Sequence, residues 1–335
     1  MMRKTWMPCF VLFASVAVIA AFGCSGEAPP AEPEAEAAAP AETAIDTSAN
    51  ERFAGVWSLT RIERRDVNGE LLGEPTTDRL GYLMYDVSGH MGVTLMQPDR
   101  QPYAGDTPTA DEALDRLGTY TSYFGPFTVN EADGYVTHHL LGSVNPSGAG
   151  SDYQRFFTFG DNTLTLQPPP NDRGEKSFIT WTRLPDLPES ELTDTHRRLV
   201  GVYSVESVER RTGDGEEVPA NQYEVAYIMY APSGHMSVHL MRPGRTPYAG
   251  DRPTPAEALM ATDTYGSYFG PFSVNEEERY LVHHRIGSEN PNADGSDAQR
   301  FYELTDTHLV LMPPPGTDDE GRPVQSRLTW RRISD

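Results

Sequence analysis

Ser122-Tyr123-Phe124-Gly125-Pro126-Phe127 returns unchanged as Ser267-Tyr268-Phe269-Gly270-Pro271-Phe272, an offset of 145 residues. The same offset holds on both sides of it. Ser-Gly-His-Met at 88–91 recurs at 233–236, and Pro-Tyr-Ala-Gly-Asp at 102–106 recurs at 247–251. His138-His139 returns as His283-His284, Gln-Arg-Phe at 154–156 as 299–301, and Pro-Pro-Pro at 168–170 as 313–315. A period this long exceeds a solenoid unit and matches a whole domain, so the chain reads as two tandem copies of one domain. Pro-Asp-Leu-Pro-Glu at 185–189 serves as linker, giving copies at 51–187 and 192–335 with the boundary near Leu187–Leu192.

Within the first copy, apolar residues alternate over about 55–62, 81–86, 90–96, 126–130, 135–142, 152–159, 163–167 and 177–184. Alternation is the signature of a strand with one buried face. The segment Thr109–Leu117 is the one good helical stretch, with a Thr N-cap and early acids that complement the helix dipole. Sixteen Tyr, 29 Gly and 28 Pro favour short strands broken by turns over long helices. Eight short strands in each copy suit a closed barrel, which leaves no strand edge open to aggregation. The expected fold is all-β: two tandem eight-stranded antiparallel up-and-down barrels, each with one short inserted helix.

The region before the copies reads as targeting and tether. Arg3 and Lys4 precede an apolar run from Trp6 to Ala21, followed by Phe22-Gly23-Cys24. This is the pattern of a bacterial export signal over residues 1–23. Its end resembles a lipoprotein lipobox, with Ala21 where Leu is usual; the resemblance implies cleavage before Cys24 and a diacylglyceryl group on its sulfur. The alternative is an uncleaved anchor, since the apolar run is just long enough to span a bilayer. Either way the chain is membrane-tethered and lies in the cell envelope, on the outer membrane or its periplasmic face if the host has one. Residues 24–50 continue as Ala, Glu and Pro, too poor in bulky apolar groups to offset the entropy of ordering, and read as an extended stalk. Cleavage would leave one Cys, so the folded part is expected to stand on its cores without an internal disulfide.

The motifs resemble the lipocalin-like domain family of the wider lipocalin fold. Gly55-Val56-Trp57 opens the first strand as in the lipocalin Gly-x-Trp signature, and Trp181-Thr182-Arg183 ends the last. By that resemblance Arg183 stacks on Trp57 to close the barrel floor. Copy two keeps Trp330 and Arg332 but has Gly201-Val202-Tyr203 in place of the Trp, and Arg332 is the corresponding closing residue. The family implies a barrel with an internal pocket and fixes no ligand.

Six repeated polar side chains are the candidate ligand-binding set: Tyr123, His138 and Arg155, with Tyr268, His283 and Arg300. Arg155 alternates with Phe157 and Phe159, and Arg300 with Tyr302 and Leu304, so both arginines share the apolar face of their strand. A charge there must be paired or reach water. It serves either as an anion site or as a structural group stacked on an aromatic or paired with an acid such as Asp86. Adjacent strand residues face opposite sides, so only one His of each pair can enter the barrel. The apolar pattern selects His138 in copy one and His284 in copy two, while the family resemblance favours the first of each pair. Tyr123, Tyr268, Tyr103 and Tyr248 are expected on loops around one barrel end, where they line the entrance, or else plug the barrel or pack the short helix.

A net charge of -22 excludes nucleic acid as a partner, because that affinity comes from Lys and Arg displacing counterions. No motif announces cofactor, metal or covalent chemistry. His235 and His239, four apart on a strand, stand about 13 Å from each other and cannot share a metal. No catalytic residue, cofactor or metal is therefore assigned. The leading expectation is a binding module for a small apolar or amphipathic, anionic molecule. The alternatives are a non-metal isomerase, cyclase or hydrolase with a pocket His as base, and a structural envelope protein whose barrels are filled by side chains. Protein partners are not readable from the sequence.

Overall fold

The computed structural model describes residues 47–333. The expectations for the signal segment, for Cys24 and for the stalk up to residue 46 lie outside the described residues. The final turn of the expected stalk is helical: Thr47–Phe53 forms a short helix that leads into the first strand.

Two closed antiparallel barrels follow. The first is built from Gly55–Arg65, Leu80–Tyr85, His90–Met96, Tyr120–Asn130, Tyr135–His139, Asp152–Phe159, Thr163–Gln167 and Lys176–Arg183. Each strand pairs with the next, and the first pairs with the last, with Trp57 opposite Arg183. The second repeats this with Gly201–Thr212, Val225–Tyr230, His235–Met241, Tyr265–Asn275, Tyr280–His284, Asp297–Leu304, His308–Met312 and Pro323–Arg332, closing with Tyr203 opposite Arg332. A second short helix, Asp194–Leu199, precedes its first strand.

The inserted helices are Ala110–Thr119 and Pro255–Asp263, each opened by a capping box, Thr109 with Glu112 and Thr254 with Glu257. Each glutamate also accepts from the preceding Pro-Tyr-Ala-Gly-Asp loop, at 2.7 Å from Ala104 N and 2.7 Å from Ala249 N. The loop is thereby held to the start of its helix.

The fourth strand is longer than the sequence pattern suggests. It begins at Tyr120 rather than near 126; the outer face, Tyr120, Ser122 and Phe124, is buried, and on the other face Tyr123 is buried while Thr121 is exposed. What hides that outer face is the other barrel. Tyr82, Met84, Met96, Tyr120 and Phe124 pack against Tyr227, Met229, Met241, Tyr265 and Phe269 in one shared apolar core. The contacts are reciprocal: Tyr82 meets His235 and Phe269 at ring-centre distances of 5.4 and 4.9 Å, and Tyr227 meets His90 and Phe124 at 5.5 and 4.9 Å. Tyr120 bonds Ser267 and Tyr265 bonds Ser122 across the same seam. The repeat thus packs like a self-complementary dimer within one chain.

Gly125 and Gly270 are set by a close approach within each barrel. A Cβ on either would collide with the carbonyl oxygen of His139 or His284 where the chain crosses back over the fourth strand. That crossing is completed by Leu141 N to Phe124 O and Ile286 N to Phe269 O, both 3.0 Å.

Candidate functional site

The floor of each barrel is sealed by an arginine on an aromatic ring. The Arg183 guanidinium lies 4.2 Å from the Trp57 ring centre and bonds the carbonyls of Ala54 and Arg52. In copy two Arg332 lies 4.6 Å from the Tyr203 ring centre and bonds the Tyr203 hydroxyl, which in turn donates to Leu199 O at 3.1 Å. Tyrosine therefore fills the place of tryptophan and recruits the preceding helix through its hydroxyl.

Above the floor, each barrel brings its three candidate side chains together. His138 is fully buried, with Nε2 2.6 Å from the Tyr85 hydroxyl and Nδ1 3.2 Å from the Tyr123 hydroxyl. His283 is bound alike, at 2.8 Å from Tyr230 and 2.9 Å from Tyr268. Burial, reinforced by Arg155, holds the His138 pKa well below its ordinary value, and burial with Arg300 and Arg285 does the same for His283. Both imidazoles are thus neutral at pH 7, one nitrogen donating and one accepting. Burial also raises the Tyr85, Tyr123 and Tyr230 hydroxyls above their usual range, so they stay protonated; on each histidine one hydroxyl donates and the other accepts.

The first His of each pair faces inward, and the second faces out to bond an aspartate, His139 to Asp152 at 2.7 Å and His284 to Asp297 at 2.8 Å. The inward placement of His284 suggested by the copy-two apolar pattern is corrected: Arg285 and Ile286 have already left the strand, so their polarity says nothing about its inner face. The expectation of mouth loops for Tyr123 and Tyr268 is also corrected, since both sit within the fourth strand and point inward to the histidine. Tyr103 and Tyr248 do lie on loops.

Arg155 donates to Gln154 O at 2.8 Å and lies 5.0 Å from the Tyr153 ring centre. Arg300 donates to Gln299 O at 2.7 Å. Among the described residues neither arginine has a carboxylate within ion-pair reach; Asp86 instead caps its own turn through Ser88. His90 is on the outer face against Tyr227, away from His138. No three His, Cys, Asp or Glu side chains gather closely enough for a metal among the described residues.

Each barrel encloses a cavity. In the first, about 360 Å³ is walled by Leu83, Val93, Leu166, Ile179 and Trp181 and carries Tyr123, His138 and Arg155. In the second, about 440 Å³ is walled by Ile228, Val238, Leu311, Leu328 and Trp330 and carries Tyr268 and Arg300. The indole N–H groups of Trp181 and Trp330 are buried without a hydrogen-bond partner. An unpaired buried donor is costly, and both copies place one in a cavity wall.

Sequence reasoning missed Tyr85 and Tyr230, the second hydroxyl on each histidine. The signal was present, since Met84-Tyr85 and Met229-Tyr230 also repeat, just before the Ser-Gly-His-Met motif.

A family model of the lipocalin-like domain matches residues 54–184 and again 200–333. No curated protein matches the chain. Among solved structures the chain is similar to a DUF3598-family protein of unknown function from Nostoc punctiforme, at 12% identity over 86% of this chain and 98% of that one, with a TM-score of 0.24. It is also similar to transferrin binding protein B of Haemophilus parasuis, at 8% identity over 84% of this chain and 77% of that one, with a TM-score of 0.20. The two family matches coincide with the two barrels, and the chain belongs to the lipocalin-like domain family, carrying two tandem copies of its domain.

Proposed function

We propose that the chain is a membrane-tethered binding protein that holds a small amphipathic anion in each barrel. The head group meets Arg155 or Arg300, and the apolar part lies along the Leu, Val and Trp walls. The observation that carries this reading is the pair of inward guanidinium groups, each beside an apolar cavity and neither matched by a carboxylate. An unmatched charge in such a place is a cost to folding unless a ligand or water meets it. The protonated Tyr123 hydroxyl adds a polar group of the kind a carboxylate can accept from. A barrel filled by side chains would hold no such cavities. Acid-base catalysis finds little support, because both nitrogens of His138 are taken by tyrosines and its low pKa makes it a weak base.

The Arg155→Ala, Arg300→Ala double variant should bind palmitate ten- to a hundredfold more weakly at each site, the loss of one charge-assisted contact of about 1.5–3 kcal/mol. Titration calorimetry, with circular dichroism to verify folding, measures it; unchanged affinity would sink the anion reading.

The tether reading rests on the segment ending at Cys24 and the Ala/Glu/Pro stretch after it. Among the described residues no helix is long and apolar enough to cross a membrane. Cys24→Ser should release the chain from the membrane fraction of cells, and retention there would favour an uncleaved anchor.

A further inference from the structure

The two barrels are built from matching residues, yet their cavities are lined differently: the first reaches residues of the other copy and the second does not. In the first, one continuous cavity runs from Trp181 past Arg155 to a mouth formed by the second copy, where Tyr248, Asp251 and Pro253 line it. The reciprocal mouth exists beside the second barrel, lined by Tyr103, Asp106 and Pro108 of the first copy, with a volume of about 380 Å³. It is separate from the inner cavity that holds Arg300, and Tyr223 and Leu240 line both. Leu240 has the equivalent Leu95 in the first barrel, which interrupts nothing there. Tyr223 has no such equivalent: the repeat aligns it with Asp78, a solvent-exposed residue.

Tyr223 is half-buried, and its hydroxyl is raised by burial while sensing Tyr268, Arg300 and Arg242. Tyr223 packs against the core of the second barrel and lines both the outer mouth and the inner cavity. The backbone around it is tied down, with Glu224 N donating to Met241 O at 2.8 Å. The inner cavity is lined in addition by Pro219, Asn221 and Pro313, and by no residue of the first copy. None of the matching first-copy positions lines the first cavity.

We propose that Tyr223 is a gate that makes the two sites non-equivalent: the first takes its ligand through a mouth completed by the second copy, and the second is cut off from its reciprocal mouth and loaded from the far side. This rests on the barrels binding an amphipathic anion. Ligand selection at the first barrel is then set partly by Asp251 and Tyr248, residues of the other copy, while Asp106 and Tyr103 have no say at the second.

The test uses palmitate and the full chain, with one site silenced at a time. In the Arg300→Ala chain, Asp251→Trp should block the shared mouth and weaken the remaining site at least tenfold. In the Arg155→Ala chain, Asp106→Trp should leave affinity within twofold, and adding Tyr223→Ala should make that site sensitive to Asp106→Trp. Both aspartates lie on exposed loop positions, so the tryptophans do not disturb a core. Equal losses from Asp251→Trp and Asp106→Trp, or no loss from Asp251→Trp, overturn the gate while leaving barrel binding intact. A wild-type chain that binds no palmitate overturns the binding reading, and the gate falls with it.

Discussion

Glu289→Val is expected to destabilise the chain by about 3–5 kcal/mol, and adding Arg116→Met to the same chain is expected to recover most of that loss. The pair spans the seam between the barrels. The Arg116 side chain is 1% exposed and is paired with the Glu289 carboxylate; its Nε also donates to Glu289 O at 3.1 Å. Burial drives the Glu289 pKa up to about 7 even with the Arg116, Arg100 and Arg245 guanidinium groups around it. Removing Glu289 alone leaves the Arg116 guanidinium buried without its carboxylate, while Arg100 keeps Asp294 at 3.2 Å. Removing both charges takes away the desolvation cost along with the attraction, which is why a buried pair replaced by apolar groups is often close to neutral. The chain contains its own control. The repeat aligns Arg116 with Ala261 and Glu289 with Val144, so the seam already uses an apolar pair at the reciprocal place. Urea unfolding of the two variants measures the difference, and equal losses in both would mean that the ion pair is not what couples the barrels there.

Acid should unfold the chain steeply below pH 6.5. His138, His283 and His239 are all fully buried with pKa values held below the ordinary one, His239 at about 3. For each, the unfolded chain takes up a proton that the folded chain refuses. Stability is then complete above the unfolded pKa of about 6.5 and declines as pH falls toward the folded pKa; for His239, whose folded value is about 3, the decline is about 1.4 kcal/mol per pH unit. Glu289 runs the other way. Its raised pKa contributes stability that is complete below about 4.5 and lost as pH rises through about 7. The three fully buried histidines outweigh the one glutamate, so the net effect is a loss of stability as pH falls from 6 to 5. His239→Thr, which installs the residue that copy one has at position 94, should reduce that slope by about 1.4 kcal/mol per unit. Stability curves at several pH values measure it, and an unchanged slope would mean that His239 titrates normally in the fold.

The barrels were legible because alternation on a strand with one wet face writes itself directly into the sequence, as between Asp152 and Phe159. It failed where both faces are dry. Tyr120 to Phe124 show no alternation since one side fills the barrel and the other packs on its twin, so the stretch reads as loop until the partner surface is known. The duplication itself was plain, but not that its copies share a core. Nothing in Tyr82 or Tyr227 distinguishes a residue buried against another barrel from one in a pocket wall. The candidate site was legible at its arginines, whose alternation with Phe157, Phe159 and Tyr302 survives comparison of the copies. The histidine was legible in copy one, where the pattern selects His138, and misread in copy two, where Ile286, past the strand end at His284, was used to judge the face. Tyr223 was invisible for a different reason: comparison of copies highlights what repeats, and the gate is a place where they differ.

The most direct test of the binding account is a crystal structure of the chain with palmitate brominated at its methyl end, located by anomalous scattering. The account predicts the carboxylate on Arg155 in the first barrel and on Arg300 in the second, with the chain against Trp181 and Trp330. Both cavities empty of probe at saturation, or a carboxylate turned away from either arginine, would contradict it.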